Sequence, residues 1–199
     1  HFPGVTINDL FLAVVGGAMR RYLAAKNELP AESVVALMPM SVREEGKRHK
    51  GGNEVGGVPV PLRSDIADPL ARLEAVREDA LAAKRDSEIM GRGFLKSIMD
   101  ELPTFVADQF MRFVVYPQLN VTVSNVRGPE VPLYVAGARL VHFYPVSIAT
   151  DYIGLNHTGF SYNGVMWITA VACRNMMPDP AFYADCLRES FAELMAANN

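Results

Sequence analysis

Tyr162-Asn163-Gly164 sits between two strand-like runs, Gly154 to Tyr162 and Val165 to Cys173. Asn-Gly between such runs favours a two-residue turn, because both central residues must take positive φ and the turn then twists with its strands. The end of the chain is thereby committed to an antiparallel hairpin. Further strands are expected over Leu119 to Asn125 and Tyr134 to Ile148, and earlier over Val34 to Val42 and Val58 to Leu62. Pro59 and Pro61 mark that last one as an edge strand, since proline cannot donate to a ladder.

Helical patterns flank these strands. Thr6 can cap a helix, and Asp9 three residues on can close a capping box. Ile7, Leu10, Phe11, Val14, Val15, Ala18 and Tyr22 then recur at helical spacing, up to about Asn27. Gly16-Gly17 inside this helix costs about 1 kcal/mol per glycine relative to alanine, and marks a neighbouring backbone or ligand that must come close. Asp68-Pro69 opens a second helix, expected to run to about Asp86 before the break at Gly91 to Gly93. Phe94 to Val115 reads as largely helical, interrupted by Pro103. Asp179-Pro180 opens a last amphipathic helix with Tyr183, Leu187, Ser190 and Leu194. Arg43 to Gly57, with five glycines, reads as a mobile surface loop. The expected fold is one α/β domain with a mixed, largely antiparallel sheet packed with helices.

Composition narrows the function. Of 199 residues, 50% are hydrophobic and 21% charged, and the net charge is -3. Such a chain can bury a substantial core, and without a basic stripe it makes a poor nucleic-acid binder. The longest uncharged apolar runs, Leu10 to Met19 and Gly164 to Cys173, are about half of the ~20 residues a membrane span needs. Cys173 and Cys186 are too few and too distant for a disulfide framework or a zinc site, and are expected as buried free thiols in a reducing, cytoplasmic setting. The start at His1 rather than Met is read as a cut from a longer polypeptide.

Most catalytic templates are missing. The sequence holds no P-loop, dinucleotide fingerprint, zincin helix or nucleophile elbow. His1, His49, His142 and His157 stand singly, and no general base or metal site is assigned. His49 reads as solvated, and His157 as a hydrogen-bonded or exposed strand residue. Two stretches carry candidates. At the first helix start, Asp9 reads as a cap, whereas capping does not explain Asn8. In Asn120 to Pro129, NVTVSNVRGP, Val121 and Val123 point to one face of a strand, and Asn120, Thr122 and Ser124 to the other. That polar row is either a sheet face turned to water or a line of donors facing a reacting group.

Together these stretches resemble the wax ester synthase / diacylglycerol acyltransferase family. Val5-Thr6-Ile7-Asn8-Asp9-Leu10 is similar to its N-D region, and Pro39-Met40-Ser41-Val42-Arg43 to its P-x-S-x-R strand. Asn53-Glu54-Val55-Gly56-Gly57 continues the match. Ser124-Asn125-Val126-Arg127-Gly128-Pro129 resembles S-N-V-x-G-P, and Gly154 through Gly164 its C-terminal hairpin. Five motifs in the right order cover nearly the whole chain, which corresponds to the C-terminal half of the family.

The resemblance implies half of a chloramphenicol-acetyltransferase-like pair with the active site between the halves. It implies transfer of a fatty acyl group from acyl-CoA, the co-substrate, to a long-chain alcohol or a diacylglycerol. The basic histidine of H-H-x-x-x-D-G belongs to the N-terminal half, the expected partner, and this chain alone is expected to be inactive. Ser124 or Thr122 is then the candidate oxyanion donor, and Asn8 lines or braces the site. Asn125, Arg127, Gly128 and Pro129 are candidates for contact with substrate; Arg127, where the family pattern has another residue, either meets a CoA phosphate or is merely exposed. Arg20 and Arg21 either meet CoA or anionic lipid or belong to a solvated face. Peripheral contact with the inner face of the cell membrane or with lipid inclusions extends the cytoplasmic expectation. The alternative is a non-catalytic lipid-binding or interaction module of the same superfamily.

Overall fold

The computed structural model describes residues 2–41, 55–90 and 101–197. Helix α1 spans Ile7–Ala25, β1 Val35–Ser41, β2 Val55–Pro61, α2 Pro69–Met90 and α3 Thr104–Phe110. A π-helical turn (Met111–Val115) and a 3-10 turn (Tyr116–Gln118) lead into β3, Val121–Arg127. The short strands β4 (Tyr134–Val135) and β5 (Ala138–Arg139) follow, then β6 (Leu155–Tyr162), β7 (Val165–Ala172) and α4 (Pro180–Ala197).

The main sheet has the order β2-β1-β3-β6-β7. It is mixed: both outer pairings are antiparallel, while β1, β3 and β6 run parallel in the middle. The antiparallel ladders are the longer ones, with seven and eight residue pairs against two and six. The β1–β3 pairing is extended by Asn120, whose N–H donates to the Val35 carbonyl at 2.9 Å and whose Oδ1 accepts from the Val35 N–H at 2.8 Å. Asn163 (φ 48°) and Gly164 (φ 81°) form the expected turn between β6 and β7.

Helices α1, α2 and α4 pack on one face of the sheet. Phe11, Leu12, Val15 and Ala18 of α1 are buried with Ala36, Met38, Val121, Val123 and Leu155. Thr6 and Asp9 form the capping box. The two glycines of α1 mark close approaches: a Cβ on Gly16 would lie 2.0 Å from the Leu62 carbonyl oxygen, and one on Gly17 2.2 Å from Ser190 Oγ and 2.7 Å from the Arg72 guanidinium. Arg72, 2% exposed, donates to the Ile66 and Ala67 carbonyls. Ser190 donates to the Val14 carbonyl at 2.9 Å.

Several expectations need correction. Val55 to Gly57 belong to β2 and not to a loop, because the β1 ladder extends to Ser41↔Val55. Gly57 leaves room for Leu37, whose Cδ1 would lie 2.5 Å from a Cβ there. Residues 42–54, with His49 and most of the expected loop, fall outside the described residues, as do 91–100 with the Gly91 to Gly93 break. Helix α2 runs on to Met90. Tyr134 to Ile148 is not one strand: Ala136 (φ 49°) and Gly137 (φ 82°) turn the chain between β4 and β5. Residues 142–148 then cross the sheet without a ladder partner. The apolar side chains over 104–118 do not pack into this domain's core; none is buried, and Phe105 and Phe113 are largely exposed. Cys186 is buried, but Cys173 is exposed.

Candidate functional site

The parallel pairing of β3 and β6 builds the site. Thr122 lies opposite Asn156, and Ser124 opposite Thr158. Side chains alternate along strands, so these four share the face away from the helices, while Val121, Val123 and His157 point into the core. The neighbouring β7 adds Thr169, opposite Thr158.

Residues 142–147 roof the β6–β7 end of this face. Phe143 stacks on Phe160 with centroids 4.3 Å apart, and His142 and Tyr144 meet the Trp167 ring edge-on. Thr169 donates to the Pro145 carbonyl, and the Asn156 amide reaches Ser147 Oγ at 3.4 Å. Thr158 Oγ1 donates to Asn156 Oδ1 at 2.9 Å. Tyr162 anchors the preceding arm, donating to the Leu140 carbonyl and accepting from the Leu133 N–H. The hydroxyls of Thr122 and Ser124 are different: neither makes a hydrogen bond among the described residues. Thr122 is nearly buried and Ser124 half-buried.

The other candidate residues spread around this row. Asn8 is on the helix side, its amide donating to Met38 Sδ at 3.3 Å. Asn125 is exposed and, by alternation, also faces the helix side, opposite Gly159, where a Cβ would lie 3.2 Å from Phe11. Asn8 and Asn125 thus share a sheet face that Thr122 and Ser124 do not. Arg127 is exposed and pairs with Glu130. The Gly128 N–H donates to Ser161 Oγ at 3.1 Å, and a Cβ there would lie 2.2 Å from the Ser161 carbonyl oxygen. Pro129 accepts from the Asn163 N–H at 3.0 Å. The Asn125 to Pro129 stretch therefore ties the end of β3 to the β6–β7 turn. Arg20 donates to the Ser64 and Asp65 carbonyls, and Arg21 pairs with Glu189 and Glu193.

His157 lies behind the row. It is wholly buried, and its Nε2 is 2.6 Å from the Tyr183 hydroxyl of α4. Nδ1 makes no well-formed hydrogen bond. Burial pushes the imidazole pKa down to about 4, only partly offset by the nearby Thr122 backbone, and pushes the Tyr183 hydroxyl upward. The ring is neutral near pH 7 and faces away from the polar row. Tyr183 meets Tyr22 edge-on, and Tyr22 donates to Asp179 at 2.5 Å. Sequence reasoning did not single out Asn156 or Thr158 as site residues. Their period-two spacing was visible, but the register that sets them beside Thr122 and Ser124 is not a local property. Among the described residues no three His, Cys, Asp or Glu side chains gather into a metal-holding group.

The family model for the WS/DGAT C-terminal domain matches residues 51–195. A Mycobacterium tuberculosis protein named as a candidate diacylglycerol O-acyltransferase is 35% identical over 97% of the chain and 40% of its own length. The O-acyltransferase WSD of Acinetobacter baylyi is 33% identical over 87% of the chain and 38% of its own length. Among solved structures, the wax ester synthase/diacylglycerol acyltransferase of Marinobacter aquaeolei VT8 superposes with a TM-score of 0.77 at 29% identity, over 98% of the chain and 44% of its own. The epimerization domain of the third module of tyrocidine synthetase B, at 14% identity and TM-score 0.59, shares the fold alone. The chain spans about two fifths of the length of the curated relatives.

Proposed function

The chain belongs to the WS/DGAT family as its C-terminal domain, and from that premise we propose that it supplies the oxyanion side of an acyl-CoA-dependent O-acyltransferase. The observation carrying this reading is the pair of hydroxyls, Thr122 and Ser124, that make no hydrogen bond among the described residues, on a strand whose neighbouring polar groups are bonded among themselves. In the reaction, a histidine of the N-terminal half takes the proton of an alcohol or diacylglycerol hydroxyl. The oxygen bonds to the thioester carbon, and negative charge gathers on the carbonyl oxygen. The C–S bond then breaks, and the proton passes to the departing CoA thiolate. A fixed hydroxyl at the developing oxyanion lowers the barrier because it is oriented before the charge appears. Ser124 is assigned that role, with Thr122 beside it.

No covalent group is needed, and acyl-CoA is the co-substrate. Arg127, which is exposed and pairs with exposed Glu130, is available to a CoA phosphate. Asn8 braces the site from the helix side through Met38. The N-terminal half is the partner for the apolar side chains of Phe105, Phe110, Phe113, Val146 and Ile148, all exposed in this chain. The relatives' greater length, of which this chain covers 40% and 44% in two cases, supports that pairing. Among the described residues no helix is long and apolar enough to cross a membrane; contact with membrane or lipid inclusions is peripheral.

The test uses the full-length polypeptide, with palmitoyl-CoA as donor and hexadecanol or a diacylglycerol as acceptor. Ser124→Ala should lower kcat by about 10²–10³-fold, the range for losing one oxyanion donor, with the thermal midpoint unchanged. Full activity in Ser124→Ala and Thr122→Val would return the row to an ordinary sheet face. No transfer by the wild type with either acceptor would make the chain a lipid-binding or interaction module.

A further inference from the structure

We propose that Asn156 is a second substrate-facing donor in the same channel, and that Thr158 is the positioning residue that aims it. The inference rests on the acyltransfer reading and adds two residues to it. Asn156 is 7% exposed and Thr158 6%. A buried side-chain amide offers two N–H donors and a carbonyl, and burial without partners is costly. The carbonyl is satisfied by the Thr158 hydroxyl at 2.9 Å. Among the described residues the Nδ2 group has one hydrogen-bond partner, Ser147 Oγ at 3.4 Å, beyond the usual 2.7–3.2 Å range for N–H···O bonds. So the acceptor end is held and the donor end is underused.

The register gives this donor a destination. Asn156 is directly opposite Thr122, and Thr158 opposite Ser124, so the amide sits beside the two unengaged hydroxyls on one face. Three residues with donor groups are thus neighbours on one face of adjacent strands. A substrate oxygen entering beside Thr122 and Ser124 completes the partners of the Asn156 amide. The oxygen that gains charge during transfer, the thioester carbonyl, gains most from a donor that is already oriented. Thr158 makes no such contact; it acts by fixing which end of the amide faces the channel.

The full-length enzyme is assayed with palmitoyl-CoA and hexadecanol, separating kcat from KM, in Asn156→Ala, Thr158→Val, Thr158→Ser and the double variant Asn156→Ala/Thr158→Val. Asn156→Ala should lower kcat by about 10²-fold, with both KM values within about threefold of wild type. Thr158→Val, nearly isosteric, should lower kcat by about tenfold, and Thr158→Ser should restore it, since only the hydroxyl matters. The double variant should be no worse than Asn156→Ala, because Thr158 works through Asn156. Additive losses would overturn the positioning role. Wild-type kcat in Thr158→Val overturns it even if Asn156→Ala does not fold. Wild-type kcat in Asn156→Ala, alongside an inactive Ser124→Ala, overturns the second donor while leaving the acyltransfer reading intact. Wild-type activity in all variants, Ser124→Ala included, or no wild-type transfer, overturns both.

Discussion

Acid should destabilise this domain through one buried ring. His157 has a folded-state pKa of about 4 against an ordinary value of 6.5. Between those values the unfolded chain binds a proton that the folded chain does not. Stability is therefore fully present above about pH 6.5 and is lost as pH falls toward 4. Each pKa unit is worth about 1.4 kcal/mol, so the loss attributable to His157 approaches about 3 kcal/mol. For a domain of this size, about 1 kcal/mol moves the thermal midpoint by roughly 2–4 °C. The control is His157→Leu/Tyr183→Phe, which removes both partners of the 2.6 Å contact and leaves no buried orphan. Thermal midpoints of the full-length protein would be measured from pH 7.5 to 4.5 for wild type and this double variant. All other groups that titrate in this range are common to both proteins, so the difference isolates His157. The wild type should fall by about 2–4 °C more than the variant, because the full-length polypeptide has a larger unfolding entropy than this domain alone. Parallel pH curves would refute the argument, and would mean that the ring takes up a proton in the folded state without cost.

Two further outcomes follow from the close approaches and the exposed cation. Gly16→Ala should lower the thermal midpoint more than Gly17→Ala, because its Cβ meets the Leu62 backbone at 2.0 Å, whereas Gly17 meets the movable ends of Ser190 and Arg72. A higher midpoint in either variant would show that the gain in helix propensity wins. Arg127→Ala should raise KM for acyl-CoA severalfold at low salt, less at high salt, with the midpoint unchanged. An unchanged KM would leave Arg127 as a surface partner of Glu130 alone.

Much of this fold is written in short stretches. The Thr6–Asp9 capping box, the Asn163-Gly164 turn and the prolines of β2 each act within a few residues, and all stand where the sequence places them. The glycine pair signalled a close neighbour, though not that the neighbours would be Leu62, Ser190 and Arg72. Tyr134 to Ile148 failed as a strand because strand propensity there is spent on a turn at Ala136-Gly137 and on aromatic packing over β6 and β7.

The polar row itself was legible, since alternation alone sets Thr122 and Ser124 on one face. The family was legible too, because its motifs are collinear. What only the tertiary structure decided is which groups meet. Parallel strands are not joined by a turn that fixes their offset, so pairing of Thr122 with Asn156, and Ser124 with Thr158, depends on the whole sheet. The same holds for His157, which one strand position turns from a channel residue into a core residue facing Tyr183. Local sequence determined the elements and their faces; the register between distant strands determined the site.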